Sequence, residues 1–255
     1  MNYREKQKQD PAEKKMRKLS SYRKKYQDPL MEKLDPILQW EETADEKIGK
    51  IKESTPMMPE PGDELFMTGW VGSGATVFLA DWKREKLCSR FPVAFINTVR
   101  DRDVFGSGGD VLDAGDGGRY RFLCDPSAFS EKCASWIAPV GEGGLMKALY
   151  RLGKESGLGF RVQSRMVPVR QITIEFSEFF LLHPWEMLTG DSFLFTAKHD
   201  SELLISLEEA GIPFSRIGVI TKEKQKLICH GDEKSNINRP EPDGVLTLLL
   251  EGQKA

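Results

Sequence analysis

Residues suited to metal or covalent chemistry are scarce in this chain: 255 positions include four cysteines and three histidines. Cys88, Cys124, Cys133 and Cys229 are scattered, and no two form a CxxC pair, so neither a zinc ribbon nor a redox pair is indicated. Cys229 and His230 are adjacent, but neighbours on a strand point to opposite faces and do not readily share one metal. Thiols kept reduced inside the cell fit better, and no metal site is expected. No apolar run approaches the roughly 20 residues that span a bilayer, and the start, Met1-Asn2-Tyr3-Arg4-Glu5-Lys6, leads into polar sequence rather than a secretory signal. The expected location is the cytoplasm, without membrane attachment. Charge of neither sign dominates, with 37 Lys and Arg against 39 Asp and Glu.

Glycine is missing before Gly49, and large aliphatics are few in that stretch. Residues 1–60 are instead highly charged: basic from Arg4 to Lys25, then acidic through Asp28, Glu32, Asp35, Glu41, Glu42, Asp45, Glu46 and Glu53. Pro11, Pro29 and Pro36 divide the region into short helical pieces, and Leu30, Leu34, Ile37, Leu38 and Trp40 form a modest apolar stripe. A basic segment can bind nucleic acid, but no aromatic interleaving or recognition motif accompanies this one, so a solvated helical arm is expected and a nucleic-acid partner is not. The Pro-rich run from Thr55 to Gly62 reads as a linker. The expected organisation is an arm over 1–60 and a folded domain over 61–255.

Two glycine-rich turns mark that domain. In the first, a strand over Glu64–Thr68 leads through Gly69, Gly72, Ser73 and Gly74 into a helix over 75–87. No Gly-Lys-Ser/Thr ends it and it departs from GxGxxG, so it is neither a Walker A loop nor a dinucleotide fingerprint. In the second, the strand Ala134-Ser135-Trp136-Ile137 runs through Gly141, Glu142, Gly143 and Gly144 into a helix whose Leu145, Ala148, Leu149 and Leu152 recur at helical spacing. Such a turn leaves the first backbone N–H groups of the helix without partners, where phosphate or another anion can be held. It also serves as a tight packing turn, for which glycine supplies positive φ.

Further elements follow in order. A helix is expected over 92–103. Asp110, Asp113 and Asp116 then fall every third residue among the glycines of 105–118, without the EF-hand spacing or its terminal Glu, so a surface loop is expected there rather than a Ca²⁺ site. Gly157 suits a C-cap, Phe160–Gln163 a strand, and a helix carries Ile172, Ile174, Phe176, Phe179 and Phe180. A short helix near His183, the strand Ser192–Ala197 and a helix capped by Asp200 or Ser201 come next. Residues 215–221 and 225–231 are expected to pair as a hairpin across Lys222-Glu223-Lys224. Strands and helices mix, which predicts α+β layering.

Together these motifs resemble the C-terminal domain of aminoimidazole ribonucleotide (AIR) synthase-related proteins, also called PurM-like, nearest the HypE hydrogenase-maturation branch. The resemblance rests on Pro61-Gly62-Asp63 through Ala75, Val140-Gly141-Glu142-Gly143-Gly144-Leu145, Glu155–Gly159, Val167–Arg170, Leu188–Leu194 and Ala210–Thr221, in that order. It implies a three-layer α/β/α domain with partly ferredoxin-like topology. In full-length relatives an N-terminal domain carries Mg²⁺-binding aspartates and most of the ATP site, and ATP drives phosphorylation of an amide or carboxamide oxygen. Residues 1–60 are too short for that domain, Pro139 stands where the family turn has Asp, and Gly141 where it has Thr. The HypE-type cysteine terminus is absent from Glu251–Ala255. No catalytic residue and no cofactor are therefore expected for the chain alone. The expected role is a binding or regulatory module, with a protein partner or a second copy, linked to hydrogenase or cofactor maturation. The alternative is half of a split enzyme in which a partner chain brings ATP and Mg²⁺.

Overall fold

The structure, a computed structural model, describes residues 29–54, 57–100, 129 and 134–251. The basic stretch from Arg4 to Lys25, the Asp110/Asp113/Asp116 loop, Cys124 and Cys133 lie outside those residues.

Among the described residues seven strands form one sheet: β1 (Glu64–Thr68), β2 (Trp136–Pro139), β3 (Gly159–Gln163), β4 (Phe193–Ala197), β5 (Phe214–Thr221), β6 (Lys226–His230) and β7 (Glu233–Asn236). Their order is β2-β4-β1-β5-β3-β6-β7. All neighbours are antiparallel except β3 and β6. The described residues also form eight α-helices: α1 (Pro29–Ser54), α2 (Ser73–Trp82), α3 (Arg84–Cys88), α4 (Val93–Asn97), α5 (Gly144–Ser156), α6 (Gln171–Phe179), α7 (Glu202–Glu209) and α8 (Gly244–Glu251). The α+β class read from the sequence holds.

Alternation along the central strands explains the layering, because successive side chains point to opposite faces. Leu65 and Met67 of β1, with Ala138, Leu194 and Phe160, meet the Leu145/Ala148/Leu149/Leu152 stripe of α5. Phe66, Ile137, Phe193 and Phe195 point the other way, against Trp40, Ala44 and Ile48 of α1 and Leu203 and Leu207 of α7. A third cluster joins α2, α6 and α8 to Leu34 and Ile37 of α1. With helices on both faces, β1, β2 and β4 are buried along their whole length.

Three sequence expectations need correction. The first concerns the arm: Pro29–Ser54 is one helix of 26 residues that runs through Pro36. Proline removes one helical hydrogen bond, but the burial of Leu34, Ile37, Trp40, Ala44 and Ile48 outweighs it. This part of the arm is therefore packed rather than solvated. The second concerns helix lengths: the 75–87 helix breaks at Lys83 into α2 and α3, and the stretch after Pro92 is a single α-turn followed by a 3₁₀ turn, Thr98–Arg100. The third is the hairpin. β5 and β6 do not pair, because β3 lies between them, antiparallel to β5 and parallel to β6. Both edges of β5 are already taken, by β1 and β3. Gly159 makes the insertion feasible: the 222–225 connection crosses its backbone so closely that any Cβ would strike the carbonyls of Glu223 and Gln225, and Phe160 N donates to Gln225 O at 3.0 Å.

Candidate functional site

The second glycine turn links β2 to α5. Gly143 adopts the left-handed conformation (φ 73°) immediately before α5, and Gly157 (φ 67°) closes the helix at its far end. The N–H groups that the sequence left without partners are occupied. Glu142 N donates to Glu41 Oε2 at 2.7 Å, Gly143 N to Asp243 Oδ2 at 2.9 Å, and Gly144 N to Gly141 O at 3.1 Å. Glu41 arrives from the middle of α1, and Asp243 from just before α8. Two carboxylates of the chain itself therefore stand where an anion would bind, satisfying the donors of the helix N-terminus.

Gly141 makes room for Glu41, since any Cβ at that position would collide with the Glu41 carboxyl. A side chain as large as the Thr of the family turn would exclude it. Asp243 is fully buried, and burial pushes its pKa up to about 7 against the opposing pull of its backbone hydrogen bonds to Gly143, Val245 and Leu246. Glu41 is also raised, chiefly by burial, although Lys147 and the Glu142 N–H act against this. Lys147 Nζ lies 3.2 Å from Glu142 and 3.9 Å from Glu41. Burial disfavours its charge, but the surrounding carboxylates outweigh burial and raise its pKa. Three acidic side chains thus converge on one ammonium.

A ladder of charges keeps α1 in place. Glu41, Asp45 and Lys52 of α1 meet Lys147, Arg151 and Glu155 of α5, with Arg151 2.6 Å from Asp45 and 2.7 Å from Glu155, and Lys52 3.0 Å from Glu155. Trp136 of β2 donates its indole N–H to Glu155 at 2.9 Å. The two helices lie on opposite faces of the sheet, so the ladder passes around the outer edge of β2. An edge strand with unpaired backbone is a template for aggregation, and here it is covered. The donors to Glu155 outweigh its partial burial and lower its pKa to about 2.

The first glycine turn belongs to the same construction. Gly72 N donates to Thr189 Oγ1 (3.0 Å), and Gly74 N and Ser73 Oγ donate to Thr189 O (2.8 and 3.2 Å). Thr189 N donates in turn to Gly141 O (3.1 Å), and Gly190 N to Val140 O (2.9 Å). Gly69 packs against Ser192. The 188–192 segment stitches the two turns together, so Gly69, Gly72, Ser73 and Gly74 act in packing. Beside them Arg170 lies over the Trp70 ring at 3.8 Å, with its Nε buried and without a hydrogen-bond partner. Burial lowers its pKa.

Glu41 and Asp243 escaped sequence reasoning. Asp243-Gly244 before the apolar run Val245-Leu246 is a legible N-cap, and Asp243 Oδ1 does accept from Val245 N and Leu246 N at 3.0 and 3.2 Å. Nothing in the order of residues says that its other oxygen reaches Gly143. Nor does the turn fit a polyphosphate as folded: its donors are used, and Glu41, Glu142 and Asp243 repel further negative charge. Among the described residues no group of three His, Cys, Asp or Glu is placed to hold a metal ion, and no helix is long and apolar enough to cross a membrane.

Fold and site together define an α+β domain whose glycine turn is closed by its own carboxylates. Residues 127–230 match the sequence model of the family "AIR synthase related protein, C-terminal domain", in agreement with the resemblance read from the motifs. No curated protein sequence matches the chain. Its fold is similar to E. coli HypE (TM-score 0.52, 14% identity, 73% of this chain and 53% of that one). It is similar also to a chain of a HypE-HypF complex (0.50, 18%, 72% and 55%) and to a further HypE, described as a hydrogenase maturation protein (0.50, 15%, 73% and 57%). The chain thus spans a little over half the length of these solved structures. Glu41 and Asp243 both lie outside the matched residues, while the turn they close lies inside.

Proposed function

We propose that this protein is a non-catalytic relative of the AIR synthase/HypE type, whose C-terminal-type domain serves as a binding or regulatory module in the cytoplasm. The observation that carries this reading is the occupation of the Glu142 and Gly143 N–H groups by Glu41 and Asp243. Phosphoryl transfer depends on donors and cations aimed at the transferred group. Here the donors are spent, and acids outnumber the one lysine. The lattice of hydrogen bonds through Thr189 keeps the turn as a structural hub while its anion-binding capacity is used internally. The HypE-HypF structure shows that a relative in fold assembles with another protein; for this chain a protein partner or second copy is part of the proposal.

The test is thermal unfolding with and without millimolar Mg²⁺-ATP. Ligand at a hundred times its Kd stabilises a native state by about 2.7 kcal/mol, enough to move the melting temperature by several degrees. We expect no shift. A saturable rise in melting temperature would refute the inert reading. A second reading, half of a split enzyme, draws on the coverage of little more than half of each HypE chain. It requires a Mg²⁺-ATP-dependent shift once a chain supplying the ATP-binding domain is added, and Gly141, Glu142, Gly143 and Gly144 would then be its phosphate contacts.

A further inference from the structure

A groove of about 610 Å³ opens on the α5 side of the sheet, and neither Glu41 nor Asp243 lines it. That volume is in the range of small-molecule sites. It lies between the first turn of α5, β6 and two 3₁₀ turns, while farther along α5 Lys226 of β6 packs over Tyr150 and Gly153. Half-buried Met146 of α5, Trp185 and Ile228 of β6, with Val167 and Val169, provide apolar surface continuous with the core beneath. The 3₁₀ turns Ser164–Met166 and Pro184–Glu186 bring polar groups to it.

Those groups are mostly donors. Arg165 is exposed and has no hydrogen-bond or ion-pair partner among the described residues, and the Trp185 indole N–H has no acceptor there. His183 and Trp185 sit edge to face, with ring centroids 6.3 Å apart. Ser164 Oγ holds His230 Nδ1 at 2.9 Å, which fixes that ring and leaves its Nε2 uncommitted. Among the described residues Glu186 is the one acidic side chain in the lining. An apolar floor with a guanidinium, an indole N–H and two imidazoles is matched by a flat hydrophobic body bearing an acidic group, because guanidinium pairs with carboxylate through parallel charge-assisted bonds.

We propose that this groove is a binding site for a small amphipathic carboxylate, its apolar body against Met146, Trp185 and Ile228 and its acid at Arg165. Glu186, on the same rim, selects for a single acidic group by repelling a second. Trp185 also packs on Gly144 of the glycine turn, but the test reads Arg165 and does not depend on whether that turn is inert.

The experiment uses the full chain and the fluorescent anion 8-anilinonaphthalene-1-sulfonate, displaced by indole-3-acetate or by its neutral analogue indole-3-acetamide. The expected result is saturable, one-to-one binding in which the acid competes about tenfold better than the amide, as a charge-assisted contact demands. Arg165→Gln should weaken both the probe and the acid about tenfold and remove the preference for acid over amide. Its melting temperature should stay that of the wild type, since Arg165 is exposed and unpaired. Arg161→Gln, a change at an exposed arginine on β3, should alter neither binding nor preference. Absence of saturable binding, equal competition by acid and amide, or equal loss in the two arginine variants would overturn the proposal.

Discussion

Asp243 holds three backbone N–H groups on one buried carboxylate, two at the start of α8 and one at the turn before α5. Its pKa near 7 lies above the ordinary 3.8, so the folded chain keeps a proton that the unfolded chain gives up. The stability that Asp243 contributes is therefore full below about pH 4, declines as pH rises towards 7 and is flat above it. Urea midpoints at pH 5 and pH 8 should show the protein more stable at pH 5, and Asp243→Asn should remove most of the difference. Glu41 is raised too, chiefly by burial, and its contribution has the same sign. Glu155 works the opposite way: its lowered pKa stabilises above about pH 4.5 and is lost as pH falls towards 2. Two glycines give sharper contrasts. Gly159→Ala should cost roughly 1–3 kcal/mol or more, because its Cβ meets backbone that cannot move aside. Gly49→Ala, exposed in α1 with open space around it, should raise stability by about 0.5–1 kcal/mol in denaturant titrations.

For α1, magnitudes decide which interactions hold it. The pairs Arg151–Asp45 and Arg151–Glu155 are about one-third exposed, and such pairs contribute about 0.2–1 kcal/mol each. Trp40 and Ile48 are 3% and 1% exposed, and truncating side chains so buried costs about 2–5 kcal/mol each. Arg151→Ala should therefore shift the denaturation midpoint slightly, and Trp40→Ala strongly. The apolar face binds the helix, and the charge ladder sets where Glu41 lands. Gly141→Thr should break that placement by colliding with the Glu41 carboxyl; hydrogen exchange at Glu142 N should then accelerate while the α5 core stays protected. The apolar part of α1 was visible in the sequence as a stripe, and the α5 stripe was equally plain. The partners of both were not, since period alone does not say which face of which sheet a helix will cover.

Across the whole molecule, α1 contributes to two of the three hydrophobic clusters and seals the β2 edge. Deleting residues 1–55 should therefore expose Phe66, Phe193 and Phe195 together with that edge, and light scattering should report association where the full chain stays dispersed. Unchanged solubility and oligomeric state would show that the sheet needs no cover. The hairpin expectation failed at this same scale. Residues 215–221 and 225–231 carry strand signals joined by a short polar turn, which is all that local reading can offer. Strand pairing was settled instead by β3, about sixty residues earlier in the chain, whose place between them needs the missing side chains of Gly159 and of Gly218, against which the Arg161 carbonyl lies.

The sequence by itself determined the local devices: two glycine turns, the α5 stripe, the Gly157 cap, the positions of the central strands and their combined likeness to the AIR synthase-related C-terminal domain. Each depends on residues within a few positions of one another, whose backbone preferences and side-chain periods are intrinsic. Only the tertiary structure decided what fills the Gly141–Gly144 turn. Its occupants come from positions 101 and 100 residues away, delivered by apolar packing of α1 and α8 rather than by any affinity written near the turn. A helix N-terminus attracts negative charge whatever its source; the fold supplied that charge from within.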